Sequence, residues 1–396
     1  MARFAINRHI FPAFLRSEST GGILLLVCVM ISLSIANSSA GPAFDNLLKT
    51  PYPVFGGEKG LHLDLLSFIN DALMAVFFLM VGLEIKRELV EGELSTPKQA
   101  LLPIVAAIGG MVFPALIYTV FNLHEATGSG WGIPMATDIA FAIAILAVAG
   151  KRVPTAVKVF LVGLAIVDDL GAIIVIAVFY TAELHFIYLV YAAVLVALMV
   201  LLNRFGVKRI IAYLIPGAVL WYCIHHSGIH ATIAGVLTAL TIPTNTGSNL
   251  SPLEKLEKAL HKPVNFLIMP LFALANTNIV FHASMFGDLT SPMALGIMAG
   301  LFFGKPLGIT LFSWLSIKTG IAKMPQRSGW LHMLGAGWLG GIGFTMSIFI
   351  SLLSFSDPAH TEEAKLAILL ASVSAGVFGF FLFKIAAAKQ SAVSDQ

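Results

Sequence analysis

The sequence predicts an all-α polytopic membrane protein with twelve transmembrane helices, and three observations lead there. Of 396 residues 58% are hydrophobic and 11% charged, with a mean hydropathy of +0.89, whereas an ordinary soluble domain is about a quarter charged. Apolar stretches near the ~20 residues that cross a hydrocarbon layer recur between polar or Gly/Pro breaks. Finally, Lys and Arg fall almost entirely on one side of the resulting topology, as they do on cytoplasmic loops.

In chain order the spans are expected at about 22–36, 65–85, 99–121, 131–149, 155–180, 186–202, 207–224, 229–242, 256–275, 292–316, 331–355 and 364–388. Basic residues before the first span and Ser38, Ser39 and Ala40 after it also fit a cleaved signal peptide. The hairpin expected at about 50–64 rests on Val54 and Phe55, a turn at Gly56, Gly57 and Glu58, then Leu61, His62 and Leu63. It reads as a plain loop or as an edge strand offered to a second subunit. His225 and His226 mark the boundary between the seventh and eighth spans. A single integral membrane domain over 1–396 follows.

With the amino terminus inside, Lys49, Lys59 and Lys365 face out, Lys305 falls within a span, and every other one of the 24 basic residues is cytoplasmic. This sorting places both termini in the cytoplasm. A net charge of +3 gives no argument for nucleic acid. Cys28 and Cys223, in apolar stretches, suggest neither a disulfide framework nor a metal cluster.

Ionisable groups inside a span are costly and functional by default. Asp138, Asp168, Asp169 and Lys305 lie roughly 18 to 21 Å from the cytoplasmic ends of their spans at a helical rise of ~1.5 Å per residue. A buried ion pair that only pins helices together accounts for Lys305 and one aspartate. It leaves two carboxylates over. Asp168 and Asp169 point about 100° apart around their helix, so one is expected to pair with Lys305 while the other faces a cavity. Burial disfavours the charged form of either group, which favours proton exchange near neutral pH. A bare carboxylate is also a ligand for a hard cation. The same oxygens cannot hold both, which is the basis of proton-for-cation exchange.

Two helices are expected to break at this depth. Pro134 follows Trp131 by three residues and removes a backbone donor; Gly335, Gly337, Gly340, Gly341 and Gly343 precede Phe344 and Thr345. Broken helices expose partial charges that Asp138 and Lys305 are placed to neutralise, and paired interruptions point to a transporter's binding site. Alternatively, the glycines only permit close packing.

At the cytoplasmic edge Glu84, Arg87, Glu88 and Glu91 share one helical face, and Glu254, Lys255, Glu257, Lys258 and His261 form a second cluster. These are solvated helix ends, or a cation funnel with a pH sensor built on His261 and carboxylates. His226 and His230 have the spacing of a zinc pair without an evident third ligand. His230 reads as a hydrogen-bonded interfacial histidine or a modulator of pH response.

The stretches 77–89 (FFLMVGLEIKREL), 134–141 (PMATDIAF), 165–172 (AIVDDLGA), 228–235 (GIHATIAG), 304–308 (GKPLG) and 341–348 (GIGFTMSI) resemble the bacterial NhaA sodium/proton antiporters over almost the whole chain. The resemblance implies two discontinuous helices crossing at mid-membrane in an inverted repeat, with halves at about 99–180 and 292–388. It implies Asp169 as principal Na+ or Li+ ligand, with Asp168 contributing and paired to Lys305, and Thr137 and Asp138 at the break of the fourth span. Glu84, Arg87, Glu88, Glu257 and His261 match positions tied to alkaline activation, while Lys258 stands where members can carry histidine. Dimerisation through the external hairpin is implied as well.

The expected function is therefore electrogenic exchange of Na+ or Li+ for H+ in the bacterial inner membrane, by a transporter without cofactor rather than an enzyme. An intramembrane aspartyl protease is the enzyme rival; the Gly-x-Gly-Asp context of that class is missing. A cation channel, for which acidic residues suffice, is the other.

Overall fold

The computed structural model of the chain describes residues 10–55, 61–92, 94–150, 153–181, 184–244, 250–282 and 285–394. Arg3, Arg8, Lys151, Arg152 and the expected hairpin tip, with Gly56, Gly57, Glu58 and Lys59, lie outside them.

The fold is mostly helical. Helix α1 (Ile10–Ala36) ends at a sharp turn. The short α2 (Gly41–Lys49) then runs 112° away from it. Strands β1 (Pro51–Phe55) and β2 (Leu61–Asp64) pair antiparallel, with Tyr52 opposite Leu63 and an irregularity between Pro53 and Phe55. Pro51 and Pro53 have no N–H to give a second neighbour, which suits β1 to an edge. Asp64 ends β2 and caps α3 (Leu65–Val90) by accepting the Ser67 N–H at 2.6 Å.

The remaining helices are α4 (Pro97–Phe121), α5 (Ile139–Ala149), α6 (Thr155–Phe179), α7 (Phe186–Arg204), α8 (Ile211–His225) and α9 (Ile233–Thr241). They are followed by α10 (Pro252–Pro263), α11 (Met269–Asn276), α12 (Pro292–Lys318), α13 (Trp330–Gly340), α14 (Phe344–Ser354) and α15 (Pro358–Ser394). Among the described residues, six helices are long and apolar enough to cross a membrane, or up to nine if each bent pair is one span. The other three expected spans fall on α8, α9 and the α10–α11 stretch. Of these, α8 and α9 are short. On α10, the residues from 256, expected to open the ninth span, instead carry Glu257, Lys258, His261 and Lys262. That helix starts earlier, at a capping box in which Ser251 and Glu254 satisfy each other's backbone N–H groups, and its apolar continuation begins at Val264.

Two helices are interrupted. A 3₁₀ segment, Ala126–Met135, precedes α5 with a 44° bend, and α13 precedes α14 with a 42° bend. Expected to be α-helical from Trp131, the first segment is instead 3₁₀ and starts at Ala126. Gly128, Gly130, Gly132 and Pro134 are poor α-formers that a tighter winding tolerates in a short piece.

Burial follows the charges. Of the best apolar window of α6, which holds both adjacent aspartates, 61% is buried; of that of α7 only 11%, and Phe186, Val190 and Val194 there face outward. In a bilayer such side chains meet lipid tails. A close approach lies between α4 and α12: a Cβ on Gly308 would stand 2.1 Å from the Gly109 carbonyl oxygen. Small residues let these backbones touch, which seats Lys305, one turn before Gly308, against the interior.

Candidate ion site

The site forms where the two interruptions meet α6 and α12. Between Met135 and α5 the chain is extended, so Ala136 to Asp138 leave backbone groups that the bilayer cannot satisfy. The opposing break supplies partners: the Asp138 N–H donates to the Ile342 carbonyl at 2.7 Å, and the Ser347 hydroxyl to that of Ile133 at 2.7 Å.

Asp138 caps both downstream helices. One carboxylate oxygen accepts the Phe141 N–H at 3.0 Å, in the first turn of α5; the other accepts the Thr345 N–H at 3.1 Å, at the start of α14, and the Thr345 hydroxyl. An anion thus sits at two positive helix ends. Lys305 does the converse, donating from Nζ to the Met135 carbonyl at the end of the 3₁₀ segment. Both charges are where the broken helices need them.

The adjacent aspartates divide. Asp168 Oδ2 lies 2.7 Å from Lys305 Nζ, and neither side chain is exposed. The same oxygen is 2.7 Å from the Thr137 hydroxyl, which is also 2.8 Å from the Gly340 carbonyl. One hydroxyl hydrogen has two acceptors there. Asp169 instead lines a cavity of about 40 Å³, well above the roughly 10–15 Å³ that a water needs. Its buried Oδ1 has no hydrogen-bond partner among the described residues. The walls are Phe77, Met80, Val81 and Glu84 of α3; Thr137, Asp138, Ile139 and Ala140 at the first break; Thr345 and Met346 at the second; and Asn265 and Met269. A cavity with apolar walls, carboxylates, hydroxyls and an amide offers hard oxygen ligands in a water-poor setting.

The expected pH-sensing residues separate into three places. Glu84 is on the cavity wall. Arg87 bridges Glu257, Nε to Oε2 at 2.9 Å, and Glu88, Nη1 to Oε1 at 2.7 Å, joining α3 to α10. His261, one turn beyond Glu257, has its Nε2 3.5 Å from the Asn265 amide nitrogen. His230 is not brought to this cluster or to the cavity; it follows α8, where His225 and Asp71 lie 3.9 Å apart. Among the described residues no three His, Cys, Asp or Glu side chains form a metal-holding group.

Asn265 and Thr345 were missed as site residues. Thr345 is signalled by its place after the glycine run, and Asn265 by being a polar residue four after His261 in an otherwise apolar stretch.

Paired helix interruptions that enclose buried charges beside a cavity define an ion-coupled secondary transporter. The chain matches the family model described as Na+/H+ antiporter 1 over residues 12–383. It is 59% identical over 378 residues to "Na(+)/H(+) antiporter NhaA 2" of Flavobacterium johnsoniae, which covers 95% of this chain and 93% of the relative. To "Na(+)/H(+) antiporter NhaA" of Dechloromonas aromatica it is 52% identical over 374 residues, covering 93% and 94%. To that of Bordetella parapertussis it is 48% identical over 383 residues, covering 95% and 96%. The chain belongs to the Na+/H+ antiporter 1 family.

Proposed function

We propose that this protein is a secondary active antiporter that exchanges Na+ or Li+ for H+ across the bacterial inner membrane. The observation that carries the reading is the split at Asp168 and Asp169: one carboxylate is tied to Lys305 while its neighbour faces a small buried cavity. Family membership and the names of the relatives support the same pair of ions.

In this reading Asp169 is the principal cation ligand, with Thr137, Asp138 and Asp168 around it. Protons arriving from the more acidic outside load the carboxylates and displace the cation; loss of those protons inside readies the site for the next one. If two protons enter for each cation that leaves, net charge moves and the membrane potential drives extrusion. The second proton rides on Asp168 or on Lys305. The cycle needs no cofactor and makes no covalent change, so the protein is not an enzyme.

The proposal extends to the architecture: twelve spans with both termini cytoplasmic, the interrupted helices crossing at mid-membrane, repeat halves at about 99–180 and 292–388, and a homodimer joined through the strands near 50–64 on the outer face. Glu84, Arg87, Glu88, Glu257, His261 and His230 tune activation at alkaline pH.

The test is sodium-driven pH change, with ²²Na+ uptake recorded in parallel, in proteoliposomes across a range of external pH. Exchange is expected in the natural chain and is expected to vanish in Asp169→Asn. Undiminished exchange by that variant would overturn the assignment, and sodium flux with no reciprocal proton movement would point to a channel.

A further inference from the structure

We propose that Asn265 is a ligand of the transported cation, its side-chain amide oxygen joining Asp169 in the cavity and setting how tightly the ion is held. The inference rests on the antiport reading above and adds a residue to it.

Three observations converge on Asn265. It is 6% exposed, in an otherwise apolar stretch, and a buried amide there is costly unless it has polar work to do. It stands on the wall of the cavity that holds Asp169. It also sits in one of the π-turns of the chain, Val264–Ile268. A π-turn inserts one extra residue into a helix and re-aims those around it, and such turns concentrate at functional sites. The chain repeats this device nearby: the π-turn Gly300–Gly304 ends immediately before Lys305. One widened turn holds Asn265 on the cavity wall, and the other immediately precedes the lysine paired to Asp168, the neighbour of Asp169.

The chemistry is that of alkali-ion coordination. Na+ and Li+ are hard cations that take oxygen donors, and a neutral amide oxygen adds a donor without adding a titrating group. A site made only of carboxylates gains affinity for the cation and for the proton together; an amide favours the cation alone. Asn265 therefore shifts the competition at Asp169 toward the metal ion. The amide nitrogen, 3.5 Å from His261 Nε2, fits a side chain held by that end on the charged side.

The test compares Asn265→Leu, which keeps the bulk and removes the oxygen, with Asn265→Asp, which keeps an oxygen and adds charge. Apparent KM for Na+ and Li+ and the pH profile are measured in proteoliposomes. Loss of one ion–dipole contact is expected to raise KM for both ions about tenfold in Asn265→Leu, the factor that ~1.4 kcal/mol represents, with maximal rate at saturating cation retained. Asn265→Asp is expected to lower KM several-fold at alkaline pH. KM values within about twofold of the natural chain in Asn265→Leu would overturn the proposal. So would a displaced pH midpoint at unchanged KM, the signature of a residue acting only through His261. Should Asn265→Leu fail to fold, the Asp variant decides alone, an unchanged KM counting against the proposal. Absence of sodium-coupled proton movement in the natural chain is a separate result, and it would overturn the antiport reading itself.

Discussion

Lys305 and Asp168 form a fully buried ion pair, 2.7 Å from Nζ to Oδ2, and each also holds a partner at the interrupted helix: Lys305 the Met135 carbonyl and Asp168 the Thr137 hydroxyl. Removing one member strands the other charge, at a cost of about 3–5 kcal/mol. Asp168→Asn and Lys305→Gln are each expected to lower the thermal melting temperature in detergent markedly. The double variant Asp168→Asn/Lys305→Gln is expected to lie above either single one, since no charge is left unpaired. Additive losses in the double variant would show that the pair is not the coupled unit its geometry describes.

Asp169 is expected to behave in the opposite way. Among the described residues it forms no ion pair, and its buried Oδ1, like that of Asp168, lacks a hydrogen bond. Neutralising an uncompensated buried charge relieves a desolvation cost. Asp169→Asn is thus expected to melt at or above the temperature of the natural chain while losing exchange. The same melting series checks this: a drop as large as that of Asp168→Asn would mean that Asp169 holds the structure together.

Much of this centre was legible in the sequence, because its signals are local. A carboxylate or ammonium group in an apolar span is costly wherever the helix packs, and Pro134 and the glycines around Gly341 interrupt winding by their own chemistry. Which aspartate takes Lys305 was not legible from the residues themselves: a 100° separation on one helix says that the two diverge, not how the helix is rotated, and packing decides that. Asn265 carries only a weak signal, an uncharged amide in an apolar run, and its place on the cavity wall is set by packing that the sequence does not display. His230 reads from the sequence as an interfacial histidine or a modulator of pH response, and the fold sets it near His225, away from Arg87 and Glu257. The spans at α8 and α9 were hardest to delimit, since α9 has only 9 residues and its length comes from packing, with a Cβ on Gly235 standing 2.1 Å from the Ala75 carbonyl oxygen.

Asp138 joins the amino ends of α5 and α14 through one carboxylate. Loss of a cap costs about 0.5–2 kcal/mol, and here two caps depend on one side chain. Asp138→Ala is expected to lower the melting temperature more than Thr345→Val, which removes only the hydroxyl and leaves the backbone N–H bond in place. Equal effects would indicate that Asp138 does not serve both helices.

The contact between α4 and α12 leaves no room for a side chain. A Cβ on Gly308 would meet the Gly109 carbonyl oxygen at 2.1 Å, and one on Gly109 the Gly308 carbonyl oxygen at 2.4 Å. Rigid backbone cannot yield, so Gly308→Ala is expected to force the helices apart, at the roughly 1–3 kcal/mol of an overpacked core. Because Lys305 is one turn away, exchange is expected to fall with stability. Melting and flux measured on the same preparation check the linkage; normal flux at a lowered melting temperature would separate helix contact from the position of Lys305.

Glu257 provides the handle on pH. It lies on the charged part of α10, before the apolar stretch that begins at Val264, and closes onto Arg87 at 2.9 Å. Burial pushes its carboxyl above the usual glutamate range, and Arg87 pulls it only part of the way back. The folded protein therefore holds this proton more tightly than the unfolded chain does. Its contribution to stability is fully present below the ordinary glutamate pKa and is lost as pH rises through the raised one. Glu257→Gln does not titrate, so the stability of the natural chain relative to this variant is expected to fall as pH rises through that window, measured as a difference in melting temperature across pH. A difference that stays constant would mean that Glu257 titrates alike in both states. The position also bears on activation: Glu257 holds Arg87 where α10 meets α3, and α3 carries Glu84 to the cavity beside Asp169. Exchange by Glu257→Gln is accordingly expected to rise less steeply toward alkaline pH than exchange by the natural chain, and identical profiles would place the pH response elsewhere.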